Sequence, residues 1–161
     1  MLVGVLTQNV VINTGRFGGS CLLPGIYFYC GSALGPGGLL ARIYRHIRLG
    51  KNQHWHFDFI RPYLEITRVW WADSNVSECD LCRWIAEVTP ASFPLAGFGS
   101  SDCTRSCRSH LILVPSDTNL ESLEFILGCK ASGFNGMIME GNLIESISSL
   151  PGEDKIEKKP E

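Results

Sequence analysis

The sequence lacks the features that would place the protein in a membrane or outside the cell. It contains no apolar run of the roughly 18 residues that a membrane-spanning helix needs. Its start, MLVGVLTQNV, has neither the basic flank nor the small-residue cleavage pattern of a secretory signal. We therefore expect a cytoplasmic protein with no membrane partner. With 161 residues, 45% of them hydrophobic, the chain is expected to fold around one core.

The cysteines do not form the even set that a disulfide framework requires. There are seven, and without an export signal their thiols are expected to stay reduced. The stretch DCTRSCRSH brings Cys103, Cys107 and His110 close together, and Cys79 is a fourth candidate. Thiolates and imidazole are the groups that tetrahedral Zn²⁺ prefers, so zinc is one candidate cofactor. Alternatively, these residues are small buried side chains or free thiols.

Charge is unevenly distributed along the chain, although the net charge is only −2. Residues 16–68 contain seven arginine and lysine side chains against two carboxylates, a net charge of +5. Residues 117–161 contain nine acidic side chains against four lysines, a net charge of −5. An anionic partner such as nucleic acid would prefer the first region. A solvated helix face followed by an acidic tail is the alternative.

The hydrophobic pattern predicts an α/β (α+β) fold with a short antiparallel or mixed sheet flanked by helices. Four stretches are typical of strands, namely residues 1–12, IYFYCGS, EITRVWW and SHLILVP. Helices are predicted from Gly38 to about Gly50, after Ser77, and over residues 119–127. The first helix has an apolar stripe formed by Leu39, Ile43 and Ile47. The rest of its surface is expected to carry Arg42, Arg45, His46 and Arg48.

The stretch HWHFDFI alternates polar and aromatic residues and therefore predicts another strand. On such a strand His54, His56 and Asp58 would share one face. This face could bind a metal ion, contact nucleic acid or form a hydrogen-bonded polar surface.

Several separated stretches together resemble a known family. Tyr29-Cys30-Gly31 is followed by a helix with Arg42 and His46 four residues apart, then by HWHFD, and then by Glu78. This order is similar to that of the GIY-YIG nuclease superfamily. The closer resemblance is to a GIY-YIG-like family whose members occur alone or fused to endonuclease III. It is carried by the blocks YCGSALGPGGLLARIYRHIR, HWHFDF, EC, and GFGSSDC followed by SHL. The resemblance runs from about residue 11 to about residue 114.

The resemblance implies a DNA endonuclease that hydrolyses phosphodiester bonds with Mg²⁺ or Mn²⁺ in DNA repair. It implies DNA as a partner, together with repair enzymes of the endonuclease III type. The expected catalytic residues are Tyr29, Arg42, His46 and Glu78, with Glu78 holding Mg²⁺. Arg42 suits a phosphate oxygen, and His46 is an easier base than Tyr29 for activating water. The residues expected to contact nucleic acid are Ser32, Arg45, Arg48, Lys51, His54 and His56.

The domain organisation follows from the extent of the resemblance. Residues 1–114 are expected to form the GIY-YIG-like domain, and residues 115–150 a C-terminal extension packed on it. Residues 151–161, with the sequence PGEDKIEKKPE, have the composition of a disordered tail.

The start of the chain departs from the family pattern. The first tyrosine motif is expected on the N-terminal strand, but MLVGVLTQN contains no tyrosine. Tyr27 of Gly25-Ile26-Tyr27 shares a strand with Tyr29 instead. Either the start is divergent or truncated, or one catalytic element is missing. Two further hypotheses are therefore a non-catalytic nucleic-acid-binding module and a zinc-stabilised interaction domain.

Overall fold

A computed structural model of the chain describes residues 1–13 and 17–139. Within these ranges a five-stranded antiparallel sheet has helices on both faces, and a separate hairpin forms a two-stranded sheet. The predicted α+β fold is confirmed. The strands are β1 Leu2–Leu6, β2 Val10–Ile12, β3 Ser20–Leu22, β4 Gly25–Tyr29, β5 Glu65–Trp71, β6 Leu111–Val114 and β7 Asn135–Ile138. The helices are α1 Gly38–Ile47, α2 His56–Ile60, α3 Glu78–Val88 and α4 Leu120–Lys130.

The large sheet has the strand order β6-β4-β1-β5-β7, so β1 and β4 lie near its centre. Side chains alternate between its faces, as the period of two requires. On β4, Tyr27 and Tyr29 enter the core beneath α1 and α2. Ile26 and Phe28 enter the core beneath α3 and α4. The two tyrosines therefore share one face, and the end of β4 lies between the two helical layers.

Helix α1 buries the apolar stripe predicted from the sequence, with Ile43 and Ile47 in the core and Leu39 packed against it. The sequence placed His46 on the exposed surface, and this was wrong because His46 is only 3% exposed. His46 follows Leu39 by seven positions and Ile43 by three, a spacing that puts it on the buried face.

The stretch HWHFDFI is not a strand, so the predicted shared face of two histidines and an aspartate is wrong. His54 and Trp55 are non-helical, and α2 begins at His56. The Asp58 carboxylate is buried and accepts hydrogen bonds from the backbone N–H of His54, at 3.0 Å, and of Trp55, at 2.9 Å. Capping of this kind satisfies N–H groups at a helix start. Asp58 therefore fixes the entry into α2 and is not available as a metal ligand.

Helix α3 begins directly after Ser77, as predicted. The Ser77 hydroxyl accepts the N–H of Asp80, and the Asp80 carboxylate accepts the N–H of Ser77. This reciprocal pair is a capping box, and it places Glu78 in the first turn.

The part of the chain after β6 also contacts the sheet. Helix α4 packs on the second face through Leu120, Leu123 and Leu127, and β7 pairs with β5 at the sheet edge. The expected disordered tail and the last part of the expected extension lie outside the described residues. Among the residues that the structure describes, no helix has both the length and the apolar character to cross a membrane.

Candidate functional site

A cleft of about 490 Å³ opens at the end of β4. It is bounded by the turn after β4, by α1, by the segment that enters α2, by the first turn of α3 and by the loop before β6. Of the residues predicted for catalysis or for contact with nucleic acid, it brings together six: Tyr29, Ser32, Arg42, His54, His56 and Glu78. These residues come from four separated parts of the chain, and the sheet and its helices bring them to one surface.

Arg42 lies beside the end of the tyrosine strand, next to Gly31. A Cβ at Gly31 would lie 3.6 Å from Nη2 of Arg42 and 3.8 Å from Cε1 of Tyr29. The Arg42 guanidinium carbon also lies 4.6 Å from the centroid of the Trp55 ring. Among the described residues no protein atom accepts a hydrogen bond from its buried Nε. A permanent cation with unused donors therefore lines the cleft.

Tyr29 is only 5% exposed and forms the floor of the cleft. Its ring stacks on Phe57 with centroids 4.5 Å apart. Burial raises the pKa of Tyr29 to about 12, and the nearby Arg42 charge only partly opposes this. The phenol is therefore protonated at neutral pH, when it can donate a hydrogen bond but is a poor base.

His46 does not line the large cleft. It borders a separate cavity of about 30 Å³ that also touches Tyr29 and Arg42. Burial, followed by the charges of Arg42 and Lys51, lowers the pKa of His46 to about 3. Its imidazole is therefore neutral at physiological pH and weakly basic. The role of water-activating base remains a prediction for His46, and burial argues against it.

Glu78 is a cleft carboxylate that is free to bind a ligand. Within the described residues it has no hydrogen bond or ion pair, and it lies in the first turn of α3. Asp80, two residues later, is used structurally: it caps Ser77 and pairs with Arg105 at 2.7 Å. Asp102 lines the same cleft as Glu78. Carboxylate oxygens are the ligands that Mg²⁺ accepts, so these two residues could bind it.

The remaining predicted contacts differ in accessibility. Lys51 forms a 2.6 Å ion pair with the buried Asp58 and is mostly covered. Arg45 lies 3.8 Å from the same carboxylate and keeps part of its side chain exposed. Arg48 is exposed just after α1. Of these three, Arg45 and Arg48 are accessible to a phosphate, whereas Lys51 mainly stabilises the cleft wall.

A cluster of three cysteines and one histidine lies next to the cleft. The ligand atoms of Cys79, Cys103, Cys107 and His110 all lie within 4.8 Å of one another. Sγ of Cys79 is 3.4 Å from Sγ of Cys103 and 3.6 Å from Nε2 of His110. Tetrahedral zinc with Zn–S bonds of about 2.3 Å would separate two sulfurs by about 3.8 Å. The prediction that these four residues come together is confirmed, and the cluster could hold a metal ion.

The local environment perturbs the thiols of this cluster. Burial and hydrogen bonding to Cys103 raise the pKa of Cys79 above its usual value. The Cys107 backbone N–H lowers the pKa of Cys103 to about 6. A bound dication would stabilise thiolates throughout the cluster, because metal coordination favours the deprotonated form.

The cluster and the cleft share part of their framework. Cys79 directly follows Glu78, Cys103 directly follows Asp102, and His110 lines both the cluster and the cleft. Anything bound by the cluster would therefore restrain both cleft carboxylates.

Gly99 lets the cluster loop lie against the tyrosine strand. Its φ is +67°, and a Cβ there would lie 3.2 Å from Cε2 of Tyr29 and 3.4 Å from Cβ of His110. Both the backbone angle and the close contact favour glycine at this position.

A family model described as "Domain of unknown function DUF123" matches residues 1–128. The chain belongs to the DUF123 family. Neither a curated protein nor a solved structure matches it. The matched range contains the cleft and the cysteine cluster, so both features lie within the DUF123 domain. It also includes β1, which the motif resemblance did not cover.

Among the cleft residues that sequence reasoning missed in this DUF123 domain, Asp102 and Trp55 have the most relevant chemistry. Asp102 lines the cleft, and the only signal for it was its position directly before Cys103. Trp55 also lines the cleft. Trp55 lies between His54 and His56, which were predicted to contact nucleic acid. Its position depends on the Asp58 carboxylate, which accepts the Trp55 N–H at the start of α2.

Proposed function

We propose that this DUF123 protein is a GIY-YIG-like DNA endonuclease that hydrolyses phosphodiester bonds with a divalent metal ion. The observation that carries the proposal is the convergence of Tyr29, Arg42 and Glu78 on one cleft. The same three residues carry the sequence resemblance to GIY-YIG nucleases. Phosphodiester hydrolysis needs positive charge near the phosphate, a positioned water and stabilisation of the leaving oxygen.

Each residue has a chemical role in this proposal. The Arg42 guanidinium, with unused donors beside Tyr29, binds a phosphate oxygen and stabilises the charge of the transition state. The protonated Tyr29 phenol orients the attacking water or the phosphate by donating a hydrogen bond. Exposed His54 and half-buried His56 lie at the rim of the cleft, where they can contact the DNA backbone.

Glu78 and Asp102 are the residues that would hold Mg²⁺ or Mn²⁺. Mg²⁺ usually keeps several waters and takes one or two carboxylates together with substrate phosphates. When bound, the metal ion would supply additional positive charge at the scissile phosphate. The free carboxylate of Glu78 and the cleft position of Asp102 fit this donor set.

We assign zinc to the cysteine cluster and a role in repair to the protein as a whole. The three thiols and one imidazole suit zinc better than Mg²⁺, which prefers oxygen ligands. A role in repair, with an endonuclease III type enzyme as partner, rests on the sequence resemblance alone.

The direct test is cleavage of nicked, flapped, abasic and branched DNA with Mg²⁺ or Mn²⁺. We expect the wild type to cut at least one of these substrates. Arg42→Ala and Glu78→Ala should each lower the rate by roughly 100-fold or more, as losses of charge-stabilising groups do. Arg83→Ala and Glu87→Ala are matched controls on α3, since both residues line a different cavity, and they should cut normally.

A non-catalytic DNA-binding module is the second candidate, and β1 is the observation that favours it. In the described structure the strand paired with β4 offers Leu2, Val3, Gly4, Val5 and Leu6 and no tyrosine. Tyr27 does not replace the missing group, because its hydroxyl donates to the Leu23 carbonyl at 2.6 Å. DNA binding without cleavage of any substrate would favour the module over the nuclease.

A zinc-stabilised interaction domain is the third candidate, and the cysteine cluster favours it. In that case the cleft would have no role in binding DNA. Zinc-dependent stability together with an absence of DNA binding would support this candidate over the other two.

A further inference from the structure

Trp55 is a large aromatic residue that remains exposed in the wall of the cleft. It keeps 36% of its surface accessible, whereas Tyr29 on the cleft floor keeps only 5%. An indole has a large apolar face and a polar N–H, so in a polar cleft it offers a ligand both a stacking surface and a hydrogen-bond donor. Its neighbours His54 and His56 line the same cleft and provide polar groups beside the indole.

The backbone of Trp55 is held in place although its side chain is exposed. Oδ2 of Asp58 accepts the N–H groups of both His54 and Trp55. Lys51 holds Oδ1 of the same carboxylate at 2.6 Å, and Phe57 anchors α2 in the core. An aromatic platform fixed in this way loses little conformational entropy when a ligand stacks on it.

Two cations lie over the indole ring of Trp55 as cation–π contacts. The guanidinium carbons of Arg42 and Arg45 are 4.6 Å and 5.5 Å from the ring centroid. The 36% of Trp55 that stays accessible can contact a base while the two guanidinium groups bind the attached phosphates. Aromatic side chains beside a basic groove are the usual arrangement for binding single-stranded nucleic acid.

We propose that Trp55 stacks on an unpaired DNA base, so that this cleft selects DNA with a single-stranded or extruded nucleotide. This inference rests on the proposed DNA-binding function and specifies its substrate. Inside an intact duplex both faces of each base are covered by neighbouring base pairs, so an internal base must leave the stack to contact the indole. Arg42 and Arg45 contribute to the binding of either kind of DNA because they act on phosphates.

The test compares fluorescence-anisotropy binding of a single-stranded oligonucleotide and of the matched blunt duplex, without added Mg²⁺ or Mn²⁺. Trp55→Ala should weaken binding of the single strand roughly 10-fold, as loss of one stacked base does. Duplex binding should change by less than about 2-fold, since no stacking is lost there. Trp55→Phe should retain most of the affinity for the single strand. Phe125→Ala, which removes an exposed aromatic on α4, is the control and should leave both affinities unchanged.

A second readout does not depend on the stability of the alanine variant. The single strand should quench the tryptophan fluorescence of the wild type, and Trp55→Phe should lose that quenching. An equal loss of affinity for single strand and duplex in Trp55→Ala would overturn the inference, because Trp55 would then only position the arginines. Tight DNA binding that ignores Trp55 would overturn this inference but not the proposed function. If the wild type binds no DNA at all, both fail.

Discussion

Each contact of the buried Asp58 carboxylate supports one wall of the cleft. It receives the backbone of His54 and Trp55 and forms an ion pair with Lys51. Burial alone would raise the pKa of Asp58, but the Lys51 ammonium and the two N–H groups outweigh it and lower the pKa below 3.8. A carboxyl group of this kind adds stability above its unfolded pKa, and the contribution is lost as the pH falls through its folded pKa.

At the residue scale we therefore predict that Asp58→Asn lowers the free energy of unfolding by about 2 kcal/mol at pH 7, because the charge that pairs with Lys51 is removed. The difference from the wild type should shrink as the pH falls below 3.8, the ordinary pKa of this group. Urea unfolding from neutral pH down to below that value measures both effects. Asp117→Asn, at an exposed position, is the control. A difference that does not change with pH would contradict the role of the charge.

A second prediction at this scale concerns Gly99. Alanine at a positive φ costs about 1 kcal/mol, and at Gly99 its Cβ would also lie 3.2 Å from Tyr29. Gly50 has a φ of +68°, but a Cβ added there would meet no atom within 4 Å, so Gly50→Ala isolates the backbone cost. We expect Gly99→Ala to lose about 2 kcal/mol and Gly50→Ala about 1 kcal/mol, the excess arising from crowding. Equal losses in urea unfolding would show that Tyr29 moves aside freely.

At the scale of elements, the sequence predicted the central strands, α1, α3 and α4, because these carry clear periodicity or capping signals. It failed at α2. The alternation in HWHFDFI is as strong as in a real strand, yet Asp58 caps a helix there and depends on Lys51 for its counter-charge. Whether such a cap forms depends on residues outside the stretch, here Lys51. The periodicity of the stretch alone therefore cannot distinguish the capped helix from a strand.

The same contrast holds within the candidate site. The metal-ligand candidates could be selected from the sequence because thiols and imidazole are typical ligands of zinc. They are Cys79, Cys103, Cys107 and His110. The cleft positions of Asp102 and Trp55 could not be predicted from the sequence. Acidic and aromatic residues are common, and only their neighbours in the fold show that these two line a site.

The cysteine cluster joins two elements and yields the third prediction. It connects the first turn of α3 to the loop before β6, so metal binding should stabilise both. We expect metal analysis to find one zinc ion per chain in protein expressed with sufficient zinc. Cys103→Ser and Cys107→Ser should lose the ion and lower the Tm. Cys129→Ser, an exposed thiol on α4, should do neither. Serine variants that keep their zinc would contradict the assignment of these ligands.

For the whole molecule, the charge of +5 counted between residues 16 and 68 overstates the cationic surface. The buried Arg61 donates to the carbonyls of Ile47 and Leu64. Arg68 forms an ion pair with Glu121. Among the described basic groups of this region, those that remain available are mainly Arg42 in the cleft, Arg45 over Trp55 and the exposed Arg48 just after α1. Few phosphates can therefore be neutralised at once.

The fourth prediction is that DNA affinity depends on salt only moderately. Each neutralised phosphate contributes about 0.9 to the slope of log K against log salt, so three arginines give a slope of about −3. Arg48→Ala should reduce the magnitude of the slope by about 1, because Arg48 is exposed and outside the catalytic group. Arg83→Ala should leave it unchanged, since Arg83 pairs with Asp80 and Glu87 on α3. Binding titrations between roughly 50 and 200 mM salt measure the slopes. If Arg83→Ala reduces the slope as much as Arg48→Ala does, DNA binds on a surface other than the cleft.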